Sequence, residues 1–313
     1  MSKTDQAKGQ AGAPATPTEA ARAMWAAGDY HRLGTRIMPV SEELALALDI
    51  RPGERLLDIA GGSGNTALAA ARRDARVTCT DIVPPALDHA RRRAGVEFLA
   101  IETEVADAES LPYADDTFDV VTSTFGIQFA TDQEKAAGEM LRVLRPGGRL
   151  GLATWTPNSA LSGLLALAGK YAPPPQPTPS PMRWGTRQGL TELLGDAVTD
   201  QRVELLCIEL TAPSYAEQFR RFREWVGPVR TALARMSPDA ANSFEADFTD
   251  LWHRHNRGEP DAVVVPVDYL QVVMTRKAAP PEPSPQPSPE SSPEPTADSP
   301  SEDPADAPPE PSA

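Results

Sequence analysis

The run Arg55-Leu56-Leu57-Asp58-Ile59-Ala60-Gly61-Gly62-Ser63-Gly64-Asn65-Thr66 joins a short apolar strand to an acid, a glycine-rich turn and an alanine-rich helix start. Gly62 and Gly64 allow a ligand close to the backbone, because no Cβ stands in the way. The helix opened by this turn has free N–H groups that can face that ligand. Such a unit suits a nucleotide-like cofactor. Gly62-x-Gly64-x-x-Ala67 fits the spacing of a dinucleotide loop, and Asp81 stands near the distance expected of a ribose-binding acid. Asp58 argues against a dinucleotide, since a pyrophosphate at the mouth of the turn would meet a like charge.

S-adenosylmethionine (SAM) has no phosphate and carries an ammonium and a sulfonium at that end, so an acid there is favourable. Further motifs follow in order: Asp107-Ala108-Glu109-Ser110-Leu111-Pro112-Tyr113, then Asp116-Thr117-Phe118-Asp119-Val120-Val121, then Leu141-Arg142-Val143-Leu144-Arg145-Pro146-Gly147-Gly148-Arg149-Leu150. With these the chain resembles class I SAM-dependent methyltransferases. The likeness is strongest to the broad group that includes the ubiquinone/menaquinone-biosynthesis C-methyltransferases, and it extends over about residues 25–156. The resemblance implies that Asp58, Gly62 and Gly64 line the methionine end of SAM, with Ala60 and Gly61 in the same loop. It implies that Asp81, with Ile82 beside it, holds the ribose, that Asp107 and Ala108 address the adenine, and that Thr124 closes the set from the fourth strand. Ala60 replaces the first glycine of the family's acid-x-G-x-G-x-G loop. Gly28-Asp29-Tyr30 is similar to the family's tyrosine-bearing N-terminal element, which folds over the cofactor, so Tyr30 joins the cofactor residues.

Methyl transfer is an in-line displacement in which alignment supplies much of the rate. Aromatic faces can stabilise the cation and shape a pocket. Phe125, Phe129 and Trp155, with Gln128, are the candidate acceptor pocket, and Trp25 is a further aromatic candidate. His31 adjoins Tyr30 and is the best-placed histidine for a base. His89, in an arginine-rich helix, reads as a surface residue, and His253-x-His255 do not share a helical face. No catalytic base and no metal site are assigned. Arg145-Pro146-Gly147-Gly148 reads as a helix end and turn.

The elements that would position these residues alternate. Helices are expected at about 18–28 and 40–49. Strand 55–60, helix 65–73, strand 76–82, helix 84–94, a strand near 96–102, strand 118–124, helix 132–144 and strand 149–155 follow. This predicts an α/β fold with a mostly parallel sheet covered on both faces, Rossmann-like. Asp58, Asp81, Asp107 and Ser123–Gly126 all fall at strand carboxyl ends, where such sheets bind ligands. Beyond residue 157, helix 186–194 begins at Thr186 and helices are expected at about 214–226, 228–236 and 238–257. Strands 201–212 and 267–275 would close a seven-stranded sheet as an antiparallel hairpin, with a helical cap or substrate insertion over about 157–262. Residues 18–277 thus read as one methyltransferase domain with its core at about 50–156.

The flanks differ in composition. Residues 1–17 read as a disordered N-terminus, and 278–313 as a disordered acidic proline-rich tail with eight acids and no base. The 313-residue chain carries a formal charge of −14, and the part between the flanks is acidic too. That is a poor match for a nucleic-acid backbone. Cys79 and Cys207 read as reduced core thiols. No apolar leader or membrane span is seen, so a cytoplasmic protein acting on a small-molecule methyl acceptor, without nucleic acid or membrane insertion, is the expectation. The oligomeric state is left open. Two other functions compete: an NAD-dependent oxidoreductase and a non-catalytic SAM-binding regulator.

Overall fold

The computed structural model describes residues 16–173, 179–259 and 261–278. The disorder expected for 1–17 and 278–313 falls almost wholly outside them. Thr16 and Pro17 are described, and they begin a helix: Thr16 accepts from the Glu19 amide while Glu19 reaches back to the Thr16 N–H, a capping box.

The elements, in chain order, are α1 (Pro17–Ala26), α2 (Tyr30–Gly34), α3 (Met38–Ala47), β1 (Arg55–Asp58), α4 (Asn65–Ala71), β2 (Arg76–Asp81), α5 (Pro84–Val96), β3 (Ile101–Val105), β4 (Phe118–Thr124), α6 (Gln133–Val143) and β5 (Leu144–Trp155). Then come α7 (Ala160–Tyr171), α8 (Arg187–Leu194), β6 (Val198–Ala212), α9 (Tyr215–Trp225), α10 (Gly227–Leu233), α11 (Pro238–His255) and β7 (Val263–Arg276). The seven strands form one sheet in the order β3-β2-β1-β4-β5-β7-β6. The first five are parallel, and β7 runs antiparallel between β5 and β6. The order reverses between β1 and β4, so the loops leaving these two strands diverge and open a crevice at their carboxyl ends.

One sheet face packs α3, α4 and α5 through Leu44, Leu56, Ala67 and Leu87. The other packs α6 and α8 through Met140, Leu150, Trp184 and Leu190. A third, aromatic-rich cluster joins α7, α9 and α11 to β7 through Phe219, Phe244, Phe248 and Trp252. Within the span 157–262, the sheet's strand at 201–212 is present as expected and the helices divide between two clusters. Trp184 and α8 belong to the sheet's own core, and β6 is a strand of the sheet.

Several boundaries differ from the sequence reading. Helix α7 was not anticipated; Ser159 and Ser162 cap it reciprocally. The third strand starts at Ile101, because α5 continues to Val96 and Phe98 then turns with φ +57°. Strand β5 begins already at Leu144, so Arg145–Gly148, expected as a turn, lies within the strand, where Gly147 at φ +73° and a register irregularity opposite Phe118–Val120 mark a bulge. Cys79 is buried, but Cys207 is exposed. It lies on the edge strand β6, whose outward side chains have no covering layer. No helix among the described residues is long and apolar enough to cross a membrane.

Candidate active site

A cavity of about 500 Å³ lies at the carboxyl ends of β1, β2 and β4, roofed by α1, α2, α7 and α9. That volume is within the range of roughly 300–1,000 Å³ usual for small-molecule sites.

Its floor is the loop after β1. Ala60, Gly62 and Gly64 take φ values of +52°, +57° and +83°, so the backbone curls left-handed three times in five residues. Ala60 holds this conformation despite its methyl group. Space for the methyl comes from Gly126, where an added Cβ would lie 2.5 Å from that of Ala60. Gly64 lies against α5: a Cβ there would approach Ala90 Cβ to 2.9 Å. Ala60, Gly61 and Gly62 line the cavity, and Gly64 does not.

Asp58 is 1% exposed and is also off the cavity wall. Its Oδ1 accepts from the Thr122 hydroxyl (2.9 Å) and its Oδ2 from the Ala67 amide (3.1 Å). Burial pushes its pKa up to about 7, against the lowering effect of those bonds, and the nearby Asp81 adds to the rise. Asp58, expected at the methionine end of the cofactor, thus stands beneath the cavity wall rather than on it. The carboxylate fastens β1, β4 and the start of α4 from beneath the loop.

Asp81 does line the cavity. Its Oδ2 accepts from the Gly62 amide (2.9 Å) and its Oδ1 from the Val83 amide (2.8 Å). Burial raises its pKa and these backbone bonds oppose the rise. Each oxygen keeps a lone pair for a diol. Ile82 stands beside it on the wall. Asp107 and Ala108 form the far end, where Asp107 Oδ1 accepts from the Glu109 amide (2.9 Å) and Oδ2 from the Thr18 hydroxyl of α1 (2.9 Å). Thr124 faces the cavity at the head of a hydroxyl chain, Thr124 to Thr66 (2.8 Å) to Ser41 (3.0 Å).

Tyr30 also lines the cavity, but its hydroxyl accepts from the Gly227 amide (3.0 Å), and burial raises its pKa. Its ring meets that of Trp25, which meets Phe129 edge-on at 4.8 Å. Phe125 and Trp155 stack at 3.5 Å between centroids with planes 1° apart. Phe125 does so at φ +61°, a strained conformation for a bulky residue. Gln128 is fully buried and outside the cavity; its Oε1 accepts from the Trp155 amide (2.8 Å) and so holds the wall rather than the ligand.

Some wall residues were not foreseen. Leu161, Leu164 and Leu165 from α7, Leu210 from β6 and Phe222 from α9 make the cavity's other end hydrocarbon. His89 is not a free surface residue either: it lines the cavity and stacks on His31. For His89 the available signal was its place in the helix that directly follows Asp81 in the same βα unit. Among the described residues no group of three or more His, Cys, Asp or Glu is placed to hold a metal ion.

The floor suits an adenosyl group: Asp81 and Asp107 are spaced along it, and Glu109 adds a third carboxylate to the wall.

The comparisons with known proteins agree with this architecture. Residues 57–152 match the methyltransferase domain family. The uncharacterized protein Rv1405c of Mycobacterium tuberculosis is 38% identical over 229 residues, 72% of this chain and 84% of its own length. The ubiquinone/menaquinone biosynthesis C-methyltransferase UbiE of Ruegeria is 41% identical over 123 residues, 37% of this chain and 49% of UbiE. In fold, the YcgJ protein of Bacillus superposes with a TM-score of 0.53 at 19% identity, covering 76% of this chain and 99% of YcgJ. The sheet order, the motif-bearing loops and these matches lead to one assignment: the chain belongs to the family of class I SAM-dependent methyltransferases.

Proposed function

We propose that this protein transfers a methyl group from SAM to a small aromatic acceptor, a quinone precursor or a phenolic metabolite. The observation that carries this reading is the division of one cavity into a carboxylate-bearing floor and a hydrocarbon wall. Asp81 would accept from the two ribose hydroxyls and Asp107 from the adenine amine, while the Gly61–Gly62 backbone carries the amino-acid end. Bound there, SAM supplies a methyl group activated by its sulfonium. The stacked Phe125 and Trp155, with Leu164 and Phe222 opposite, exclude water and offer flat surfaces to a flat acceptor. This end presents carbon rather than carboxylate or imidazole. The protein's part is alignment, and the acceptor atom reacts as an already nucleophilic phenolate or stabilised carbanion.

The direct test has two parts. S-adenosylhomocysteine should raise the melting temperature and NAD should not; the reverse would leave an oxidoreductase as the better reading. Labelled SAM incubated with a panel of phenols and hydroquinones should then label at least one. Binding with no labelled product from any phenol, hydroquinone or cell metabolite fraction would leave a SAM-binding regulator.

A further inference from the structure

Two imidazoles face each other across the cavity's edge. His31 of α2 and His89 of α5 stack with centroids 4.4 Å apart and planes 18° from parallel, and both line the cavity. His31 Nδ1 is enclosed with no hydrogen-bond partner among the described residues. One turn beyond His89, Arg93 donates to the Ser63 carbonyl (2.7 Å) and to Asn65 Oδ1 (2.7 Å), and forms no ion pair among the described residues. Asn65 in turn donates to the Gly34 carbonyl (2.9 Å), which ties α2 to the loop. The charges acting on His31 are His89, Arg92 and Arg93 from α5 and Asp29 from its own segment. Asp29 is engaged already, capping α2 at the Arg32 amide and pairing with the Arg32 guanidinium. Trp225, at the end of α9, meets this segment through its carbonyl oxygen. The result is a corner rich in cationic or protonatable groups, with one committed carboxylate, opening on a ligand cavity. Burial, His89 and Arg93 all hold His31 below the usual histidine range, so without an anion it is neutral near pH 7.

We propose that His31 and His89, backed by Arg93, form an anion subsite that takes a carboxylate, and that binding takes up one proton. In that step an imidazole nitrogen gains a proton from water and the new N–H donates to the carboxylate, which stays ionised. This rests on the adenosyl reading of the floor, and the corner adjoins the glycine loop at Ser63, where Arg93 is bonded. The carboxylate could be that of the cofactor's amino-acid end or one carried by the acceptor.

Calorimetry in buffers of different ionisation enthalpy separates the two sources. S-adenosylhomocysteine should bind about tenfold tighter at about pH 6 than at about pH 8, with uptake approaching one proton. Its decarboxylated analogue should show neither effect, and His89→Asn should flatten the pH dependence without loss of fold. If instead benzoate, added with the decarboxylated analogue in place, takes up the proton, the carboxylate belongs to the acceptor. Flat affinities with no proton uptake in both arms would overturn the subsite. If S-adenosylhomocysteine fails to bind at every pH, the adenosyl reading fails. The subsite is then still decided by whether benzoate moves the titration of the two imidazole Cε1–H resonances.

Discussion

The two ends of the cavity are built by different means. At the floor, the residues facing the ligand are backbone amides and carboxylates at the ends of parallel strands. Their positions follow from strand register and from left-handed turns at Ala60, Gly62 and Gly64. At the hydrocarbon wall, the facing atoms are carbon, contributed by α7, β6 and α9 and by the Phe125–Trp155 stack. The floor is held by hydrogen bonds that few substitutions can keep. The wall is held by packing, which tolerates exchange of one apolar group for another at a cost of about 1.5 kcal/mol or less. On the proposed reading, a chain built this way can keep its cofactor while its acceptor changes.

The largest expected effect lies at the floor. Asp81→Ala removes the acceptor for the Gly62 and Val83 amides and, on the proposed reading, for the ribose diol as well. Hydrogen bonds to a charged group contribute roughly 1.5–3 kcal/mol each, so S-adenosylhomocysteine affinity should fall at least about a hundredfold by calorimetry. Asp81→Asn, which keeps one acceptor oxygen, should lose less. Equal affinity in the wild type and Asp81→Ala would remove the floor's main anchor from the comparison.

Asp58 sharpens the contrast within the floor itself, because it is a carboxylate of the same loop turned away from the ligand. Its folded pKa of about 7 stands above its ordinary 3.8. Between those values the folded chain holds a proton that the unfolded chain has released. Stability from this group is therefore complete below about pH 4, declines as pH rises to about 7, and is flat above, with a slope of at most about 1.4 kcal/mol per pH unit. Denaturant titrations at several pH values should show the wild type losing stability relative to Asp58→Asn across that window, while the variant still binds S-adenosylhomocysteine. Parallel pH profiles for the two proteins would mean that Asp58 reaches solvent or ligand after all.

The difference between floor and wall also explains what was legible in the sequence. The span 118–124 was read as a strand and is β4, and Asp81, Asp107 and the glycine loop stand at strand ends as their spacing implied, because strand, turn and helix signals are local. The direction of a side chain is not local. Nothing in Leu57-Asp58-Ile59 says that the acid turns under the loop toward Thr122, a residue of β4 far along the chain. The leucines of α7 have ordinary core spacing, and the proline run after them hid the helix. His89 looked like part of an exposed arginine-rich face because its partner, His31, comes from a separate helix. Cys207 sits in an apolar run, but the run belongs to an edge strand with one bare face.

At the wall, Trp155→Leu keeps the amide bonded to Gln128 but removes the ring stacked on Phe125. The loss of one aromatic face predicts a KM for the acceptor raised about tenfold, in line with roughly 0.5–1.5 kcal/mol for an aromatic pair. S-adenosylhomocysteine affinity should be unchanged. A variant that weakened cofactor and acceptor equally would show that the two ends are not separable.

The smallest effect should come from the clasp between the ends. The end of α1 and the start of α2 are fastened to α9 and α10 by three hydrogen bonds: the Asp29 amide donates to the Trp225 carbonyl (2.9 Å), the Gly227 amide to the Tyr30 hydroxyl (3.0 Å), and the Arg230 guanidinium to the Ala27 carbonyl (3.0 Å). Gly227 is what lets the two segments meet, since a Cβ there would lie 2.2 Å from the Met24 carbonyl oxygen. Gly227→Ala must push α1 away, freeing Tyr30 and lengthening the reach from Thr18 to Asp107. Amide exchange over residues 17–37 should speed up, and S-adenosylhomocysteine affinity should drop by about threefold, while exchange in β1, β4 and β5 stays slow. Because α1 carries the Thr18 contact to the floor and Trp25 to the wall, this one substitution tests whether the ends are coupled through the roof. Unchanged exchange over 17–37 would show that the roof stands without the clasp, and that floor and wall are joined only through the sheet beneath them.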